Sequence, residues 1–108
     1  MTYKCIIAMV KPDLTDAVIS SAKKAGATGA TVISAAGTGA GEAKTFFGLS
    51  LDVRTELVVC LVEEAAVAPI LSAIGRAGRF HEHGTGIAMV LPVDQAIGVV
   101  KDAFVGDG

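Results

Sequence analysis

Residues 3–35 read YKCIIAMVKPDLTDAVISSAKKAGATGATVISA, and the hydrophobic period changes twice along them. Tyr3 to Lys11 is a short apolar run, β-branched near its middle, which predicts a buried strand stopped by Pro12. In the following segment Leu14, Val18, Ala22 and Ala25 recur at helical spacing. Asp13 or Thr15 is placed to cap that helix, Lys23 and Lys24 suit its C-terminal dipole, and Gly26 ends it. Strand character resumes over Thr31-Val-Ile-Ser-Ala, so the stretch is strand, helix, strand.

The same order returns in the second half. Asp52 to Val62, DVRTELVVCLV, alternates early and then becomes continuously apolar, as in a strand that enters the centre of a sheet. Glu63 to Ala77 reads as a helix with acidic residues in its first turn, Pro69 near its start, and Val67, Ile70, Leu71 and Ile74 as its buried stripe. Gly78 closes it. The irregular run GRFHEHGTG leads into a last strand, Ile87 to Pro92, followed by a short amphipathic tail from Val93 to Val100. Between the halves, GTGAGEAKTFFGLS has many glycines and no sustained period, which predicts a loop of roughly a dozen residues. Two strand-helix-strand units match the βαββαβ pattern of a ferredoxin-like α+β sandwich, an antiparallel four-stranded sheet with two helices on one face. The expectation is a single domain over residues 1–108.

Composition narrows the function classes. Of the 108 residues 52% are hydrophobic and 19% charged, which excludes an intrinsically disordered chain. Helices on one sheet face leave the other to be covered, and so few charges make further copies of the chain the natural cover. The net charge is -2, with no basic run and few aromatics, which argues against nucleic-acid binding. The charge-free stretch from Ala25 to Gly41 is broken by glycines and falls short of the roughly 20 apolar residues of a membrane span. The start shows no secretory pattern, so a cytoplasmic protein is expected. There Cys5 and Cys60, both inside strand-like runs, are expected to be buried thiols.

No nucleophile elbow, phosphate-loop lysine motif, zinc-protease helix or cysteine paired with a base is present, so an enzyme is not expected. Gly78, Arg79, Gly84, Thr85 and Gly86 form a glycine-rich turn between a helix and a strand, where successive N–H groups can cradle an anion. Arg79 can add a forked contact to phosphate. The competing reading is an ordinary connection using glycine for tight dihedrals. His81 and His83 stand two apart, so in an extended loop both imidazoles point one way, toward a metal, a phosphate chain or simply solvent. Two ligands do not complete a zinc site. Phe46 and Phe47 are either packed on their own subunit or anchors for a partner protein.

Several runs resemble the PII signal-transduction proteins. Ile6-Ile7-Ala8-Met9-Val10-Lys11-Pro12 is similar to that family's first-strand signature, and Gly26-Ala27-Thr28-Gly29-Ala30-Thr31-Val32 to its second. Gly37-Thr38-Gly39 resembles the opening of its T-loop, Arg54 to Val59 its third strand, and Arg76 to Arg79 with Gly84 to Gly86 its B-loop. The likeness covers about residues 3 to 97 in collinear order, with 38–50 T-loop-like, 78–86 B-loop-like and 93–108 a C-terminal tail. It implies a homotrimer whose intersubunit clefts bind an adenine nucleotide (ADP, AMP or ATP), and a loop that docks onto a regulated protein, for instance a membrane transporter or an enzyme. It places Gly37, Thr38, Gly39, Val58 and the 78–86 loop on one side of the cleft, and Gly26, Thr28 and Gly29 of the neighbour on the other. Phe46 and Phe47 then become the docking anchors. The likeness has gaps: the 39–51 connection is short and has no tyrosine to carry uridylylation. Ile87 and Asp52 stand where phosphate-binding lysines fall, and Gly98 and Val100 where arginines do. Two other readings are a trimeric metal-tolerance protein using His81 and His83, and a small oligomeric isomerase using one of them as general base.

Overall fold

A computed structural model describes residues 2–36, 45–46, 49–50, 54–82 and 85–98. Along the chain run β1 (Tyr3–Val10), α1 (Thr15–Lys24), β2 (Thr31–Ala36), β3 (Thr45–Phe46), β4 (Leu49–Ser50), β5 (Arg54–Glu63), α2 (Val67–Ala77) and β6 (Gly86–Pro92). The main sheet has the order β2-β5-β1-β6 with every neighbouring pair antiparallel. This is the ferredoxin-like α+β arrangement that the repeated strand-helix-strand pattern predicts.

Alternation along the strands divides the sheet into two unlike faces. Ile6, Ala8 and Val10 of β1 and Val58, Cys60 and Val62 of β5 are buried against Val18 and Ala22 of α1 and Ile70 and Ile74 of α2. Each large aliphatic side chain enclosed there contributes about 1.5–3 kcal/mol, so this single layer holds the chain together. The other face has no element of the described chain over it. Its ladder partners are Cys5, Ile7 and Met9 of β1, Leu57, Val59 and Leu61 of β5, and Ile87, Met89 and Leu91 of β6, with Ile33 on β2. Ile33 is 49% exposed, Leu61 40% and Leu91 38%, a degree of exposure that large aliphatics tolerate poorly as a contiguous group.

Three expectations are corrected. The first helix has no side-chain cap: Pro12–Leu14 forms a 3-10 turn and Thr15 is already helical. Its hydroxyl bonds Glu56 instead of the helix N-terminus. The second helix begins at Val67, because Glu63 completes β5 and Glu64–Ala66 is another 3-10 turn. The segment read as structureless contains a short ladder in which Thr45 pairs with Ser50 and Phe46 with Leu49. Such two-residue strands are too short to leave a periodic trace in sequence. In the tail, residues 93–98 form neither helix nor strand, and Ile97 is 99% exposed.

Candidate functional site

Two connections emerge at one end of the sheet. Ala36 pairs with Arg54, so the 37–53 segment leaves and re-enters between β2 and β5. Val10, at the end of β1, pairs with both Glu56 and Gly86, which brings the turn before β6 to the same end. The root of the first connection is braced on both sheet faces. The Thr55 hydroxyl donates to the Val10 carbonyl at 2.9 Å. The Glu56 carboxylate accepts from Thr15, the first residue of α1, and more weakly from Ser34 across the ladder at 3.4 Å. A carboxylate beside a helix start also complements the positive end of its dipole.

Both helices end in the same hydrogen-bonded motif. At α1, Ala27 N–H donates to the Ala22 carbonyl (2.9 Å) and Gly26 N–H to that of Lys23 (3.1 Å). At α2, Phe80 N–H donates to the Gly75 carbonyl (2.9 Å) and Arg79 N–H to that of Arg76 (3.2 Å). These are the paired bonds of a Schellman end, whose residue past the cap adopts positive φ. Gly26 fills that place in α1 with φ 126°, but in α2 it is Arg79, with φ 59°. A side chain in this conformation costs roughly 1 kcal/mol relative to glycine.

The turn glycines have a structural use that the sequence reading did not separate from anion binding. A Cβ on Gly78 would lie 2.5 Å from the Phe80 ring, and one on Gly86 would lie 2.5 Å from both that ring and the Met9 carbonyl oxygen. Phe80 therefore lies over both glycines and packs its ring against the core. Thr85, 4% exposed, donates its hydroxyl to the carbonyls of Arg79 and Glu82, closing the turn on itself. Thr85→Val, which keeps the shape but not the donor, is expected to cost about 1–3 kcal/mol and to speed hydrogen exchange in residues 79–82. A loss below about 0.5 kcal/mol, the usual level for an inconsequential surface change, would mean that the bonds do not hold the turn.

The other sequence candidates are dispersed. Gly26, Thr28 and Gly29 lie before β2, at the opposite end of the sheet from Gly86, so one chain alone cannot bring the two groups together. Val58 is fully enclosed in the core, and its side chain shapes the sheet without reaching its surface. Gly37, Thr38, Gly39, Phe47, His83 and Gly84 lie outside the described residues, as do Asp52 and Val100. Phe46 lies in β3. His81 is exposed, 3.8 Å from the Glu82 carboxylate, and among the described residues no group of three or more potential ligands gathers for a metal. Cys5 is only half-buried, on the uncovered face, because its position in β1 is odd where the core positions are even. Cys60 is enclosed, and burial, followed by repulsion from Cys5, raises its thiol pKa. Sequence reasoning missed the Thr15–Glu56 brace and the Phe80 packing, both of which join residues distant in the chain or set by ring geometry.

Compared with known families, residues 3–103 match the sequence model of the nitrogen regulatory protein P-II. The chain belongs to the P-II family. P-II proteins are regulators rather than enzymes, are typically trimeric, bind adenine nucleotides and act on partner proteins. No curated protein in the comparison matches the chain. No helix among the described residues is long and apolar enough to cross a membrane.

Proposed function

We propose that this P-II family chain is a single-domain cytoplasmic regulator that forms a homotrimer and senses an adenine nucleotide in the clefts between subunits. The observation that carries the reading is the uncovered apolar sheet face. A second and third copy would cover it, and the same association would bring the Gly26–Gly29 turn of one subunit toward the 78–86 turn of another, which a single chain keeps at opposite ends of its sheet. Arg79, Thr85 and the backbone of 84–86, with Gly37–Gly39, would hold the ligand on one side, and Gly26, Thr28 and Gly29 on the other. The signal would pass to a partner, a membrane transporter or an enzyme, through the segment whose root is braced by Thr55 and Glu56.

Calorimetry with ADP, AMP, ATP and adenosine, alongside light scattering, tests the reading. Saturable binding of at least one nucleotide at three sites per trimer supports it, whereas a concentration-independent monomer or no binding of any of the four removes it. Phe46 and Phe47 are the anchors in this reading. Replacing both with serine should leave nucleotide affinity and trimer stability unchanged while abolishing docking to the regulated partner. Unfolding of the double variant would instead make the pair part of the subunit's own packing.

A further inference from the structure

We propose that the cleft takes an adenine nucleotide with a single phosphate, a nucleoside monophosphate, in preference to a di- or triphosphate, an inference that rests on the nucleotide reading above. It starts from the backbone of the 78–86 turn. A glycine-rich turn can cradle a phosphate chain only while its N–H groups are free to point at it. Here they are engaged. Gly78 N–H donates to the Ile74 carbonyl at 2.8 Å, Arg79 N–H to that of Arg76, Phe80 N–H to that of Gly75, Glu82 N–H to that of Arg79 at 2.9 Å and Thr85 N–H to that of Glu82 at 3.4 Å. The Thr85 hydroxyl is committed to the Arg79 and Glu82 carbonyls, and Gly86 enters the β6 ladder opposite Val10. Among the described residues of the turn that precede the ladder, His81 is the one whose N–H makes no such bond.

The second observation is charge. Residues 78–86 contain one lysine or arginine, Arg79, and one carboxylate, Glu82, which offsets it. Glu82 is held in the turn by both of its backbone groups, and its half-exposed carboxylate lies 3.8 Å from the His81 imidazole. At the same end of the sheet the Glu56 carboxylate already serves Thr15 and Ser34. One guanidinium beside two carboxylates suits one phosphate. A second and third phosphate, enclosed between subunits, would give up water without gaining donors, and a desolvated charge without partners is strongly disfavoured.

The competing source of positive charge is the neighbouring subunit, whose Lys23 and Lys24, exposed in the last turn of α1, would arrive with the Gly26–Gly29 turn. Those lysines also complement the negative end of their own helix, whether or not a ligand binds. Calorimetry on the intact protein with adenosine, AMP, ADP and ATP, each with and without magnesium, separates the two. The proposal expects AMP to bind tightest, ATP to be weaker by about tenfold or more, and adenosine to be weaker than AMP. Glu82→Lys puts a cation where a carboxylate stood and keeps the backbone bonds of residue 82, so it should narrow the gap between AMP and ATP by about tenfold, and Glu82→Gln by less. ADP or ATP binding more tightly than AMP, with or without the metal, would overturn the proposal. So would adenosine binding as well as AMP, or an AMP-to-ATP ratio that neither substitution changes. If none of the four binds, the nucleotide reading fails and this inference with it. If they bind in another order, only the inference fails.

Discussion

Gly86→Ala is expected to be among the most damaging one-methyl changes available in this chain. The added carbon would lie 2.5 Å from the Met9 carbonyl oxygen and 2.5 Å from the Phe80 ring. The ring could swing away, but the Met9 carbonyl belongs to β1, which is paired on both sides by β5 and β6. Relief therefore requires the β1–β6 ladder to open, and overpacking at such a site costs about 3 kcal/mol, at the upper end of the usual range. For a domain of this size that lowers Tm by roughly 15 °C. Gly75→Ala serves as the opposite control. Its Cβ meets nothing within 4 Å and its place in α2 is helical, so the change should stabilise by about 0.5–1 kcal/mol. Chemical denaturation of both variants reads the difference directly. A Gly86→Ala protein within about 1 kcal/mol of the parent would show that Phe80 and β1 give way easily, and the structural account of the turn would fall.

The same contrast shows what was legible in the sequence. Periods of two and 3.6 are properties of neighbouring residues, so β1, α1 and β5 could be read as elements, α1 with its buried stripe, and the helix stop at Gly26 from a local preference, whereas the continuously apolar runs of β1 and β5 did not tell their core face from the other. The role of Gly86 could not. It depends on Met9, far away in the chain, and on the ring of Phe80 closing over it, and sequence offers only a glycine-rich turn compatible with an anion as readily as with a close contact. Thr15 illustrates a similar limit. A threonine before a helical run reads as a cap, yet Glu56, brought alongside by the β1–β5 register, is the acceptor that its hydroxyl finds. The family likeness offers Val58 as a ligand contact, and its even position in β5 places its side chain in the core with Cys60 and Val62. Arg79 was legible as a cation in a turn, but its left-handed backbone was not.

Ile7→Glu is expected to take the protein apart into monomers without unfolding it. Ile7 lies in the middle of the uncovered face, opposite Val59 on one side and Met89 on the other, on a central strand. In the isolated subunit the position is half-buried, and no core side chain depends on it, because the core uses the even positions Ile6, Ala8 and Val10. A carboxylate there therefore keeps much of its water in the monomer. In the proposed trimer the same carboxylate would be enclosed among aliphatic side chains, with its copies from the other subunits held near it. Removing a charge from water without a partner costs several kcal/mol, and repetition by symmetry multiplies the penalty for each subunit. Since every 1.4 kcal/mol is a factor of ten, the association constant should fall by more than about a thousandfold, beyond recovery at micromolar concentration. Light scattering should then report the mass of one chain, with the far-ultraviolet circular dichroism of the parent retained. Nucleotide binding should vanish in the same sample, because in the proposed trimer the two halves of the cleft would come from different subunits. A variant that remains trimeric would place the interface elsewhere, whereas a folded monomer that still binds ADP with the parent's affinity would place the nucleotide site within one chain.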